Sequence, residues 1–216
     1  MLALYGHAFS SYTWKARIAL LAAGLSHEFR SVDPDHPDNV AVVQSASPAG
    51  KFPLLDDNGR LVFEATTIVE HIALHHAADA GLLPTQPDAA LRTRQLDRVF
   101  DNYVMTPGQD VVNEYLRDRE NPDAARVAEA RARLSRAYAW LEGWLEHYPR
   151  PAGVTLVECA AAPSLFYADW VLPIPEDHVR LKEWRAHLLA LPSVSRCVEE
   201  ARPFRPYFPL GAPDRD

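Results

Sequence analysis

The first part of the chain alternates short apolar runs with segments rich in turn residues. Apolar positions alternate with small neighbours at residues 2–4, which is typical of a strand, and they recur at helical spacing over residues 14–25. Residues 27–32 predict a second strand, residues 33–39 a loop, and residues 40–45 a short helical turn. This order predicts a β-α-β unit at the start of the chain.

The strongest local signal is a predicted β-hairpin. Two apolar runs, residues 52–55 and 60–63, are separated by Asp56-Asp57-Asn58-Gly59, and this combination is typical of two strands joined by a turn. Apolar residues from about residue 66 to residue 77 then mark one face of a helix. A β-β-α unit therefore follows the β-α-β unit.

Beyond the segment 81–88 the apolar pattern is helical, without a convincing strand. That segment contains two prolines and a glycine, so we expect it to connect an α/β domain over residues 1–80 to an all-helical domain over residues 88–216. Residues 96–103 and 127–148 carry apolar positions at helical spacing and predict long packed helices.

The last third of the chain predicts three further helices and an irregular tail. Thr155 and Glu158 fit a capping box, and the helix that they start contains Pro163, so we expect that helix to kink or to stop short. Apolar residues in 181–191 and 194–201 mark the other two helices. The proline-rich residues 202–209 are expected to be non-helical and to fold over a cleft or a dimer contact.

Charge and composition narrow the class of partner. The chain has 22 Lys and Arg against 29 Asp and Glu, a formal charge of −7, so it lacks the basic surface that nucleic acid or an anionic membrane would need. We find neither a signal-peptide pattern nor a membrane span, and two cysteines are too few for a disulfide framework. These features predict a cytoplasmic protein whose partner is a small molecule or another protein.

Residues 5–17 lie between the first predicted strand and helix, and they resemble the active-site loop of bacterial, theta-like and zeta-like glutathione transferases. The order of elements agrees with that family along nearly the whole chain. The resemblance implies a thioredoxin-like α/β N-terminal domain, an all-α C-terminal domain, glutathione as co-substrate and a homodimer. It also implies a small electrophilic substrate.

In that family the loop keeps an active-site serine, which corresponds here to Ser10. Amides at a helix N-terminus stabilise an anion, and a hydroxyl that donates to sulfur favours the reactive thiolate. Ser11 is the nearest rival for this role, because it lies at the same helix start. The alternative is that both serines only cap the helix.

Residues 47–55 are similar to the family segment that enters the third strand, where a cis bond precedes the proline equivalent to Pro53. By this resemblance the backbone of Phe52 holds the cysteinyl part of glutathione, and Lys51 meets the glycine carboxylate. The alternative is a proline that starts an edge strand beside a solvated lysine.

Residues 63–69 resemble the acidic-residue-then-serine pair that receives the γ-glutamyl end of glutathione. Here Glu64 keeps the acid, but Ala65 replaces the serine, so one hydroxyl is lost. Thr66 is a candidate substitute for that hydroxyl. The alternative for Glu64 is that it only stabilises a helix N-terminus.

Four residues of the helical region are candidates to line an apolar pocket for the electrophile. They are Phe100, Tyr103, Met105 and Tyr207, although helical spacing explains Phe100 and Tyr103 equally well as core.

His71 and His75 lie four residues apart on one helix, but no third ligand of suitable spacing is evident, so no metal site is expected.

Three functions remain open at this level. The first is a transferase that adds the glutathione thiolate to an electrophile or uses it to displace a leaving group. The second is a glutathione-dependent isomerase resembling maleylacetoacetate isomerase, although Tyr12 stands where those proteins usually have cysteine. The third is a non-catalytic binding or interaction protein of the same fold, which the loss of a hydroxyl at Ala65 keeps open.

Overall fold

A computed structural model describes residues 1–149 and 151–216. The N-terminal part contains four strands and three helices. Their order is β1 (Leu2–Gly6), α1 (Ser11–Ala22), β2 (His27–Ser31), α2 (Pro37–Ala46), β3 (Leu54–Asp57), β4 (Arg60–Phe63) and α3 (Ala65–His75). The strands form one sheet in the order β2-β1-β3-β4, in which β1 and β2 are parallel and the other neighbours are antiparallel.

The remaining elements of the described chain are helical. They are α4 (Pro87–Val99), a π-helical turn (Phe100–Met105), α5 (Thr106–Arg117), α6 (Ala124–Trp144), α7 (Leu156–Val171), α8 (Val179–Ala190), α9 (Pro192–Ala201) and two 3₁₀ helices, Ala78–Ala80 and Arg202–Tyr207. This arrangement confirms the predicted fold class, an α/β part followed by an all-helical part. In the described residues, every helix is too short or too polar to cross a membrane.

The two central strands, β1 and β3, contribute buried side chains to both faces of the sheet, since alternate side chains of a strand point in opposite directions. Leu4 and Leu55, paired across β1 and β3, face the large core that also contains α1 and α3. Tyr5 and Leu54 point the other way and pack with Val43 of α2. The helix α2 is longer than the predicted turn, since it starts at Pro37 within the predicted loop.

The hairpin turn is tighter than the predicted four-residue connection. Asp57 pairs with Arg60, so Asn58 and Gly59 alone form the turn, with φ of 52° and 92°. A two-residue turn with positive φ at both central positions matches the right-handed twist of the strands it joins, and Asn-Gly is its preferred sequence. The two aspartates therefore belong to β3.

Helix α7 runs through the centre of the molecule, and all of its residues are buried. It begins with the predicted capping box, in which the amide of Thr155 donates to Glu158 Oε2 at 3.0 Å. The helix continues through Pro163 to Val171, so the expectation that it would stop short is wrong. Burial against neighbouring helices on all sides outweighs the cost of one missing backbone hydrogen bond.

A buried ion network joins the α/β part to the helical part. Lys15 on α1 is 1% exposed, and its ammonium donates to Asp101 Oδ1 at 2.9 Å and to Thr66 Oγ1 at 2.8 Å. It also contacts Asp97 on α4, which is fully buried. The network thus ties α1 and α3 to α4 and to the π-helical turn.

Candidate functional site

Two adjoining cavities lie between the α/β part and the helical part. The first, about 350 Å³, has four charged side chains in its lining, Lys51, Glu64, Arg98 and Asp101, and is called here the polar cavity. The second, about 560 Å³, is lined mainly by aromatic and aliphatic side chains and is called the apolar cavity. Tyr12, Lys51 and Phe52 line both of them, so these residues mark the place where the two cavities meet.

The polar cavity brings together five of the predicted glutathione-binding residues, Lys51, Phe52, Pro53, Glu64 and Ala65. The Phe52–Pro53 bond is cis, as the family resemblance implied.

Glu64 lies between β4 and α3 with φ of 68°, in the left-handed region that a residue other than glycine adopts only at a cost of about 1–3 kcal/mol. Its backbone carbonyl accepts from the amide of Ile68 at 2.9 Å, while its side chain makes no capping hydrogen bond. The exposed carboxylate is therefore free to meet a ligand in the polar cavity.

Thr66 does not supply the hydroxyl that Ala65 lacks. Its Oγ1 accepts from Lys15 and donates to Asp97 Oδ2 at 2.9 Å, and it also contacts the guanidinium of Arg98. The side chain turns toward the buried ion network and does not line the polar cavity. The prediction of Thr66 as a substitute binding group is wrong, because a hydroxyl surrounded by three charged partners has no capacity left for a ligand.

The polar cavity has two further charged residues that the sequence did not single out. Arg98 donates to Asp101 Oδ2 at 2.9 Å, and both side chains line the cavity. Burial raises the pKa of Asp101, while the nearby Lys15 ammonium acts in the opposite direction. Charge of both signs therefore surrounds this cavity, which suits a zwitterionic ligand.

Ser10 and Ser11 lie at the wall of the apolar cavity, where α1 begins. Ser10 is the N-cap residue, and its Oγ accepts from the amide of Thr13 at 3.2 Å. A hydroxyl that accepts one hydrogen bond still has its own proton to donate. Capping and donation to sulfur are therefore compatible in Ser10. Ser11, the first residue of the helix, is 8% exposed.

Tyr12 is a functional candidate that the sequence prediction did not include among the site residues. It follows the two serines on the first turn of α1 and lines both cavities. Burial, with a smaller contribution from Asp101, raises its pKa to about 12. A phenol is already protonated at neutral pH at its ordinary pKa, and the upward shift reinforces this, so Tyr12 is a hydrogen-bond donor in the lining shared by the two cavities. The feature of the sequence that could have identified Tyr12 is its position two residues after Ser10.

The apolar cavity includes two of the four predicted pocket residues, Met105 and Tyr207. Tyr207 belongs to the tail, which continues along the cavity through Phe208 and Pro209. The tail thus covers the cleft as expected, although residues 202–207 form a 3₁₀ helix where no helix was expected.

The other two predicted pocket residues lie elsewhere. Phe100 is fully buried and packs against Trp184 with ring centroids 5.6 Å apart, so it belongs to the core. Tyr103 is 61% exposed and lines a separate groove with Trp140. The alternative that helical spacing places these residues in the core is therefore confirmed for Phe100 and wrong for Tyr103. Both lie in the π-helical turn.

The comparisons with known proteins agree with this geometry. The family model described as "Glutathione S-transferase, N-terminal domain" matches residues 4–80. Glutathione S-transferase hmp2 of Hypomyces subiculosus is 30% identical over 210 residues, which cover 92% of this chain and 98% of that protein. A probable maleylacetoacetate isomerase of Caenorhabditis elegans is 31% identical over 84 residues, 39% of each chain.

A solved structure extends the similarity to the whole fold. The glutathione S-transferase of Methylobacterium radiotolerans, in complex with glutathione sulfonate, superposes with a TM-score of 0.77 at 26% identity. The match covers 91% of this chain and 94% of that one. With a relative aligned over almost its full length and the same fold in three dimensions, the chain belongs to the glutathione transferase family.

Proposed function

We propose that this protein ionises the thiol of glutathione and directs the thiolate to a small electrophile held in the apolar cavity. The observation that carries the proposal is the junction of the two cavities beside the first turn of α1. A tripeptide in the polar cavity would place its thiol at this junction, close to the helix amides and to the electrophile. Structures similar to this chain are described as complexes with glutathione or with its sulfonate.

Glutathione has two carboxylates, one ammonium group and one thiol, and the polar cavity has a group for each charge. We assign Lys51 to the glycine carboxylate and Glu64 to the ammonium of the γ-glutamyl end. The γ-glutamyl carboxylate would meet the backbone amide at Ala65, where α3 starts. The backbone of Phe52 would pair with the cysteinyl part.

In the proposed mechanism Ser10 is a hydrogen-bond donor and not a base. The thiol loses its proton to solvent, and the thiolate is stabilised by the Ser10 hydroxyl and by the amides at the start of α1. The sulfur lone pair then forms the new S–C bond. In a displacement the leaving group departs with the bonding electrons, and in an addition the electrophile takes up a proton. The apolar lining of the second cavity holds an uncharged co-substrate and limits access of water.

The direct test combines binding and turnover. We expect titration calorimetry to detect glutathione binding, and an aryl halide electrophile mixed with millimolar glutathione to give a thioether at a rate above the uncatalysed reaction. Binding without conjugation would favour the non-catalytic alternative. Absence of both binding and conjugation would contradict the proposal.

The isomerase remains the second candidate function, because the C. elegans relative matches over 84 residues and the loop keeps a pair of serines. An isomerase returns glutathione unchanged, so conversion of maleylacetoacetate without thiol consumption would favour it. Tyr12 in place of the usual cysteine favours the transferase.

Ala65→Ser is expected to strengthen glutathione binding by roughly tenfold or more. A new hydroxyl would donate to the γ-glutamyl carboxylate, and a hydrogen bond to a charged group contributes about 1.5–3 kcal/mol. Calorimetry on the variant and the parent protein measures the change. Thr66→Val is the matched control. The Thr66 hydroxyl belongs to the ion network, so the glutathione affinity of this variant should stay near that of the parent. An unchanged affinity in Ala65→Ser would remove this position from the proposed site.

We also propose that the chain forms a homodimer. Leu61 and Phe63 are exposed on β4, which is the edge strand of the sheet, and Leu74, Leu91 and Tyr103 are exposed on the following helical segments. A second copy would cover these side chains in a symmetric contact. Sedimentation at micromolar concentration should give about twice 24.2 kDa, and a clean monomer would contradict the proposal.

Two further expectations accompany the proposal. We propose residues 1–80 and 88–216 as the two domains, which limited proteolysis in the 81–88 segment would test. A cytoplasmic location is supported by two cysteines that are free and buried, and cell fractionation would test it.

A further inference from the structure

Three side chains with metal-binding atoms meet where β3 and α3 end. Asp57 Oδ2 lies 2.9 Å from His71 Nε2 and 2.6 Å from His76 Nε2. The three ligand atoms all lie within 4.8 Å of one another, and no other group of three His, Cys, Asp or Glu side chains in residues 1–149 and 151–216 is arranged in this way. The sequence analysis identified no third ligand, and the structure supplies one, Asp57 of the hairpin. The second histidine of the cluster is His76 and not His75.

The two spacings to Asp57 suit a tetrahedral metal ion after a small adjustment, and the two histidine nitrogens lie within 4.8 Å of each other. Zinc binds imidazole nitrogen at about 2.0–2.1 Å and carboxylate oxygen at about 2.0–2.2 Å, which separates neighbouring ligand atoms by roughly 3.3 Å in a tetrahedron. The two Asp57–histidine distances need to widen by less than about 1 Å to reach this value. Two neutral imidazoles and one carboxylate leave a fourth position for water.

The surroundings hold these ligands in orientation. Asn58 Nδ2 donates to the other carboxylate oxygen, Asp57 Oδ1, at 2.9 Å, which leaves Oδ2 directed to the histidines. His71 is 5% exposed and is fixed by the packing of α3, while His76 is exposed and caps the end of the helix. A supported carboxylate, one buried imidazole and one accessible imidazole together provide both rigidity and an entry path.

We propose that Asp57, His71 and His76 form a binding site for a divalent transition-metal ion, with zinc as the best match. The ion would join the β3–β4 hairpin to the C-terminal end of α3. This site is separate from the proposed glutathione site. Pro53, which precedes β3, and Ala65, which starts α3, line the polar cavity, whereas Asp57 lies roughly 13 Å further along the strand. His71 and His76 lie about 9 Å and 16 Å further along the helix. Metal binding should therefore stabilise the fold and leave turnover unchanged.

The test uses tag-free protein that has been treated with a chelator, desalted and kept free of glutathione. We expect titration with ZnCl2 to show one equivalent bound per chain and to raise the melting temperature. Cobalt(II) should give the visible absorption bands of a tetrahedral site. Since loss of an outer-sphere partner alone weakens metal binding about 10- to 100-fold, Asp57→Asn and His76→Ala should each weaken it at least tenfold.

The matched control is His75→Ala. His75 lies on the same helix end, with its ring 4.6 Å from that of His71, but it contributes no atom to the cluster, so the variant should bind zinc like the parent. Circular dichroism of the metal-free variants checks the fold, and exposed His76 provides a substitution that the fold should tolerate. Absence of zinc binding by the parent, or parental affinity in both Asp57→Asn and His76→Ala, would overturn the proposal. Loss of binding in His75→Ala would overturn the assigned ligand set.

Discussion

We expect Ser10→Gly to lower conjugation at neutral pH by roughly 10- to 150-fold while glutathione affinity stays close to that of the parent. The variant removes a hydrogen bond to the thiolate, which is worth about 1.5–3 kcal/mol, and the pKa of the bound thiol rises by about one unit for each 1.36 kcal/mol. A raised thiol pKa lowers the thiolate fraction at pH 7, and the rate recovers as the pH increases. The pH–rate profile should therefore shift upward by about one to two units.

Glycine is the substitution of choice because it separates the two roles of Ser10. A glycine at the N-cap costs only a few tenths of a kcal/mol relative to serine, whereas alanine costs typically about 1 kcal/mol. The start of α1 should therefore remain in place when only the hydroxyl is lost. A melting temperature near that of the parent would confirm that a slower rate reports the hydroxyl and not the helix.

Two neighbouring variants decide which hydroxyl serves the sulfur. Ser11→Ala and Tyr12→Phe each remove one alternative donor at the cavity wall. If Ser10→Gly keeps the parental pH profile and either of the other variants shifts it, the assignment moves to Ser11 or to Tyr12. If all three keep the parental profile, the helix amides alone activate the thiol or the protein is not a transferase.

The second large effect concerns stability. Lys15→Met is expected to lower the free energy of unfolding by about 3–5 kcal/mol, because it leaves the carboxylates of Asp97 and Asp101 without their shared buried cation. Methionine retains most of the side-chain volume, so the change reports charge more than packing. Urea unfolding, followed by tryptophan fluorescence and by circular dichroism, measures the difference.

Arg98→Met provides the matched control for Lys15→Met. Arg98 contacts the same two carboxylates, but its side chain is 50% exposed, so water already screens its charge. Its removal should cost less than about 1 kcal/mol. Equal losses in the two variants would contradict the view that burial of Lys15 makes this network important for the fold.

Local features of this protein followed from the sequence because they depend on a few neighbouring residues. The Asn58-Gly59 hairpin, the capping box at Thr155 and the cap at Ser10 each depend on residues at most three apart. Helical periodicity likewise predicted most of the helices. The cis bond before Pro53 was predicted from the family resemblance. The pocket lining was predicted less well, since Phe100 lies in the core and Tyr103 lines a separate groove.

The tertiary structure alone decided the contacts between distant residues. Thr66 became part of the ion network because folding brings it to Lys15, which is 51 positions away, and to Asp97. Asp57 meets His71 because the sheet places the end of β3 beside the end of α3. Such contacts depend on how whole elements pack, and packing is set by the combined burial of many side chains, which a local pattern of residues does not record.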